Sequence, residues 1–170
     1  EGYTSLAAWA AVTTRARLGL LVGANTFRNP AVVAKMVATI DHISGGRAVL
    51  GIGAAWMEPE HTAFGLEYGD RPGTRLRWLA EALPIVRDML GGARPSSPPN
   101  GRYTVQEVRN DPPSIQRRIP TNAALSAPTH RLSTTRVAAR RCPFRRPATR
   151  GPAAPRDHLV WVMSCAKRGG

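Results

Sequence analysis

Lysine is almost missing from this sequence: of its 24 basic side chains, 22 are Arg and two are Lys. Cysteine is as scarce. Cys142 and Cys165 form no CxxC pair and have no histidines at zinc-finger spacing, so a disulfide framework or a structural metal site is not what organises the chain. Long apolar runs are also lacking. Leu6 to Val12 is too short to span a bilayer and follows no basic segment or cleavage signal, so no membrane span is expected and the chain reads as cytoplasmic. The first residue is Glu1 and not Met, from which we expect the natural N-terminus to lie upstream. Acids number only 11, and where they sit matters more than how many there are.

What is present divides the chain in two. Residues 1–113 carry 12 basic and 10 acidic side chains, a net +2, whereas residues 114–170 carry 12 basic side chains and one acid, Asp157, a net +11. The overall +13 is therefore a property of the last third, and any argument about polyanionic partners concerns that third alone. A hydrophobic content of 42% suffices for one domain with a core. Of the last 57 residues, however, 38 are Arg, Ala, Pro, Thr, Ser or Gly, and no apolar helical face longer than two turns can be drawn there. That composition is the signature of disorder. We expect a domain over 1–113 and an Arg/Pro/Ala-rich tail over 114–170.

Periodicity organises the front. Thr4 or Ser5 can cap a helix through Leu6, Trp9, Ala10 and Val12, and Ala16 to Val22 then reads as a buried parallel strand. Asn29-Pro30 is an N-cap and first-turn pair. Val33, Met36, Val37 and Ile40 follow at helical spacing, and Gly45-Gly46 stops that helix. Ala48 to Gly53 is a second apolar strand, so the two strands and their crossover helix form a right-handed βαβ unit with parallel strands. A polar stretch with Glu58, Glu60 and His61 leads to an amphipathic helix from Thr74 to about Leu90, in which Pro84 predicts a kink. Arg102 to Val105 reads as a short extended piece.

The chemistry-bearing positions follow the two strands. Gly51-Ile52-Gly53 ends one strand and can let a flat ring or a phosphate approach the backbone, or can simply form a tight turn. Trp56 stands where the third glycine of a GxGxxG fingerprint belongs, which argues against a Rossmann dinucleotide site. Gly23-Ala24-Asn25-Thr26 ends the other strand on the same side of the sheet, and two such loops make the wall of a cleft. Asn25 suits a ring carbonyl or a turn cap equally. His61 can transfer protons near neutral pH, but a surface position is the better reading. His42 closes a helix and reads as structural, and Glu58 and Glu60 suit a helix N-terminus without forming an acid/base pair. The Arg140-Arg141 and Arg145-Arg146 runs can grip phosphates, although a solvated tail is the simpler reading.

Arg17-Leu18-Gly19, Asn25 to Ala31, Ile43-Ser44-Gly45-Gly46-Arg47, Leu50 to Trp56, Glu60-His61 and Phe64-Gly65, taken in order, resemble the luciferase-like flavin-dependent oxidoreductases, most closely their F-420-dependent branch. The resemblance covers Glu1 to about Pro113. It implies an α/β fold, here a partial TIM (β/α)8 barrel. It also implies FMN or the deazaflavin F-420 as cofactor, hydride transfer or oxygen activation on a small-molecule substrate, and a homodimer in full-length members. It places the ring against the strand ending at Val22-Gly23, often over an unusual peptide bond, and against the loop after Gly53. Val22, Gly23, Asn25, Gly53, Ala54 and Trp56 inherit that cofactor-binding role. Some F-420 dehydrogenases carry an acid where this chain has Trp56, so no catalytic residue is assigned.

Two departures from the family pattern stand out. The resemblance begins at the helix after the second barrel strand, and after Ile119-Pro120 the pattern gives way to the Arg-rich tail. High Arg with little Lys fits a GC-rich gene, and a shifted reading frame in such a gene yields Arg, Pro, Ala and Ser, so the tail is expected to be a frameshift product. The fragment is accordingly expected to be impaired as an enzyme. The alternatives from other classes are a basic nucleic-acid-binding protein acting through residues 114–170 and a non-catalytic oligomerisation module.

Overall fold

The structure, a computed structural model, describes residues 1–124 and the backbone of residues 159–162. Helix α1, Gly2–Val12, is capped by the Glu1 carboxylate, which accepts from the amides of Tyr3 and Thr4; the cap thus lies a turn earlier than Thr4 or Ser5. The apolar run after it is two strands, β1 (Arg17–Leu20) and β2 (Gly23–Ala24), separated at Leu21-Val22, whose peptide bond is cis. A 3-10 turn over Asn25–Phe27 leads to α2, Pro30–Ser44. Its ends follow the sequence: the Asn29 side chain accepts from the Ala31 amide at 2.9 Å, and Gly45 closes the helix with a left-handed φ of 66° that glycine adopts without a Cβ clash.

Strand β3, Leu50–Gly53, is buried along its whole length, as a parallel strand covered on both faces must be. Helix α3 spans Glu58–Ala63 and α4 spans Pro72–Leu90. Pro84 removes one backbone donor from α4, yet the helix continues through it, with Ala82, Ile85, Val86 and Met89 buried around it. The extended piece expected over Arg102 to Val105 is a series of bends that packs through the buried side chains of Tyr103 and Val105.

Among the described residues every strand pair is parallel. β2 lies beside β3 with Gly23 opposite Ile52 and Ala24 opposite Gly53, and β3 lies beside β4, Thr121–Ala124, with Leu50 opposite Thr121. β1 reaches β3 through Leu18, whose amide donates to the Arg47 carbonyl at 3.0 Å while its own carbonyl accepts from Val49 at 2.8 Å. The two expected strands are therefore parallel neighbours. On the other edge of β1 lies β5, Leu159–Val162, with Arg17 opposite Leu159.

Neither β4 nor β5 was marked by any sequence period. Both fall in the compositionally biased stretch after 113, and the chain crosses that position docked: Gln116 donates from its backbone and side chain to the buried Asp41 carboxylate at 2.9 and 2.7 Å. Residues 125–158 and 163–170, including both cysteines and the Arg140-Arg141 and Arg145-Arg146 runs, lie outside the described residues. Among the described residues no helix is long and apolar enough to cross a membrane, and no cluster of potential metal ligands occurs.

One core holds these layers together. Leu18, Leu50 and Ile52 of the sheet meet Leu6 of α1, Val33 and Val37 of α2, and Leu79 and Val86 of α4, all at most 2% exposed. Truncating one such leucine to alanine costs about 2–5 kcal/mol, so this core fixes where the strand ends lie.

Candidate cofactor-binding site

The C-terminal ends of β2 and β3 open onto a cavity of about 630 Å³, within the range of small-molecule sites. One wall is the break between β1 and β2, namely Leu21, Val22 and Gly23, together with Phe27 and Arg28 from the turn that follows. The opposite wall is Ala55, Trp56 and Met57 after β3, continued by Glu60, His61, Phe64 and Leu66. Most of these surfaces are apolar or aromatic. Such walls suit a flat ring better than a polyanion, since the one guanidinium among them, Arg28, is paired with the Glu1 carboxylate.

Three of the six expected cofactor-binding residues line this cavity. Val22 and Gly23 form its floor, and Trp56, 54% exposed, stands at its mouth as a large aromatic free to move onto a ligand. Gly23 has a structural reason as well: a Cβ there would lie 2.9 Å from Tyr3 Oη and 3.0 Å from Leu20 Cδ1. The other three lie behind the wall. Gly53 and Ala54 are buried where β3 ends, and the next residue, Ala55, turns the chain with a φ of 69°, a left-handed conformation costly for a residue with a Cβ. Asn25 is 1% exposed, and its amide nitrogen donates to Tyr103 Oη at 2.8 Å. Its Oδ1 is buried without a partner.

His61 departs most from its sequence reading. It is not on the surface but 1% exposed, inside α3. Its Nε2 lies 2.6 Å from Thr26 Oγ1 and its Nδ1 2.7 Å from the Met57 carbonyl, while the rings of Phe27 and Tyr68 meet it edge-on, each with centroids 4.9 Å away. Phe27, Phe64 and Tyr68 around it were the available signal, a concentration of aromatics in a chain that has only 6% of them. Tyr68 in turn carries the buried Arg75 guanidinium over its ring at 3.8 Å.

Tyr3 backs the floor. Burial pushes its phenol up to about 12, against a smaller opposing pull from the nearby Arg28 guanidinium, which sits 5.3 Å from the ring centroid. Partial burial works against the charge of Glu1, but the amides of Tyr3 and Thr4 and the Arg28 cation outweigh it and hold the carboxyl below its ordinary value. Tyr103, bonded to Asn25, is raised by burial.

A parallel sheet flanked by crossover helices, with an apolar cavity at the carboxyl ends of adjacent strands, is the architecture of part of a (β/α)8 barrel. A family model described as luciferase-like monooxygenase matches residues 1–143, and the chain belongs to that family. Among curated relatives it is 39% identical over 92 residues to the pyrimidine monooxygenase RutA of Variovorax paradoxus, an alignment covering 54% of this chain and 25% of that protein. Among solved structures it is similar to the monooxygenase RslO1 from Streptomyces bottropensis, with 27% identity and a TM-score of 0.63, over 72% of this chain and 36% of that one. The coenzyme F-420 dependent tetrahydromethanopterin reductase from Methanopyrus kandleri shares the fold, with 22% identity and a TM-score of 0.63, over 72% of this chain and 38% of that one. The chain thus spans between a quarter and two fifths of the length of these proteins.

Proposed function

We propose that this chain carries a ring-binding wall of a flavin- or deazaflavin-dependent oxidoreductase that acts on a small molecule. Val22, Gly23 and Trp56 would touch the ring, and Asn25, Gly53 and Ala54 would shape the shelf behind it. The observation that carries the reading is the pairing of β2 with β3, which brings two strand ends together beneath a cavity of about 630 Å³. FMN or F-420, when bound, supplies hydride transfer or oxygen activation. The protein's part is to orient the ring and keep water off one face, for which Leu21, Val22, Phe27 and Phe64 provide the surface. With no catalytic acid or base assigned among these residues, ring binding is the property expected of this chain.

Equilibrium titration of FMN and of F-420, followed by ligand fluorescence, tests the reading. Saturable binding of at least one, with a Kd below about 200 µM or about −5 kcal/mol, is expected. Absence of binding to both at that concentration removes a working site while leaving family membership untouched.

A further inference from the structure

The two walls of the cavity come from loops some 30 residues apart, and one buried side chain joins them. The Met57 carbonyl can only accept, so His61 Nδ1, 2.7 Å away, carries the ring's hydrogen. In the neutral imidazole Nε2 is then an acceptor, and the Thr26 hydroxyl at 2.6 Å donates to it. Both ends of this relay are buried, Thr26 at 8% and His61 at 1% exposed. Alongside, Tyr68 Oη donates to the Trp56 carbonyl at 2.9 Å. Two successive carbonyls of the wall after β3 are thus held from behind, while the Trp56 side chain between them and the cavity stays free. Of these hydrogen bonds the Thr26–His61 bond crosses to the opposite wall, where the Phe27 ring also meets the imidazole edge-on.

We propose that the Thr26–His61 pair is a latch that sets the distance between the two walls, which makes His61 a positioning residue for the bound ring. The proposal rests on the ring-binding reading of this cavity. Both imidazole nitrogens are engaged by protein atoms, so His61 offers none to a substrate, and general acid or base work does not suit it. A flat ring gripped from two sides senses the wall spacing directly, and small displacements of positioning groups carry large penalties. The restraint is strong because a polar atom left unpaired in a dry interior costs far more than a solvated one.

The test uses the whole chain and Thr26→Val, which keeps the side-chain shape and removes the hydroxyl, against Thr26→Ser, which keeps the hydroxyl. Two readouts are taken: the FMN dissociation constant, and hydrogen exchange at the amides of Phe64 and Leu66, which are bonded to the Glu60 and His61 carbonyls on the far side of the latch. Thr26→Val is expected to weaken FMN about tenfold and to speed exchange at both amides by a similar factor, whereas Thr26→Ser stays within about threefold of the parent on both. Should Thr26→Val not fold, Thr26→Ala removes the same hydroxyl without bulk and takes its place. Unchanged exchange at Phe64 and Leu66, equal effects of Val and Ser, or faster exchange with unaltered FMN affinity would each overturn the latch. If the parent binds no ring at all, the functional reading fails, and the exchange data alone then decide whether the walls are latched.

Discussion

The two ends of the sheet are built differently. At the amino end, polar groups are paired: the buried Asp41 receives two hydrogen bonds from Gln116, and the half-buried Arg47 donates to the carbonyls of Ala10, Thr13, Ala16 and Ser44. These bonds tie α1, α2, the residues leading into β1 and β3, and the segment before β4 into one unit. At the carboxyl end the walls are apolar, Trp56 and Phe64 are exposed, and a cavity remains between them. Barrels divide labour in this way, with stability at the amino ends of the strands and ligands at the carboxyl ends. Damage at the first end should therefore cost folding, and damage at the second should cost binding.

The largest expected effect breaks the amino end. Asp41→Ala removes a carboxylate that is 0% exposed and leaves the half-buried Gln116 backbone donor without its acceptor and its side chain with the Ala48 carbonyl alone, and should cost about 3 kcal/mol in urea unfolding, with FMN affinity preserved in the folded fraction. A comparable loss of affinity in the folded fraction would show that the two ends are not separable. Tyr3 gives a pH-dependent probe of the floor between them. Its folded value, raised by burial to about 12, lies above the ordinary phenol value of 10.0. Stability from the neutral phenol is therefore complete below pH 10 and lost as pH rises to 12, by about 2–3 kcal/mol. Tyr3→Phe should flatten that part of the stability profile, and a slope identical to the parent's would contradict the burial argument.

Smaller effects sharpen the other side of the contrast. Gly23→Ala drives a methyl against Tyr3 Oη and Leu20 Cδ1, and should cost about 2 kcal/mol of stability while also lowering ring affinity, because the floor itself must shift. Trp56→Ala should leave stability within about 0.5 kcal/mol, as its side chain is largely solvated, yet weaken FMN about fivefold through loss of stacking. Unfolding curves and titrations on the same four variants give both coordinates for each. Equal sensitivity of binding to Trp56→Ala and to Asp41→Ala would erase the distinction.

Legibility in the sequence follows the range of the interactions. α2 could be read to the residue because its signals are local: Asn29 and Pro30 begin it, Gly45 ends it, and Val33, Val37 and Ile40 mark its buried face. The pairing of the two strand ends was legible because Gly23 and Gly53 follow apolar runs at βαβ spacing. The interruption at Leu21-Val22 was implied by the family resemblance alone, since nothing in an unbroken apolar run marks where it bends. The burial of Asn25 and His61 was not legible for a different reason. Their partners, Tyr103 and Thr26, lie 78 and 35 residues away, and no local pattern reports whether a polar side chain will find a buried mate. β4, whose sequence is Thr-Asn-Ala-Ala, has no strand periodicity of its own and is a strand because β3 offers it a free edge.

Where a planar ring binds separates the two ends of the sheet most directly. Amide chemical shifts of the labelled chain, followed through a titration with FMN, give that location directly. Shifts concentrated at Val22, Gly23, Ala55 and Trp56, with Arg47 and Gln116 unmoved, are the predicted outcome. Shifts centred on Arg47 and Gln116, or spread evenly over both ends of the sheet, would contradict it.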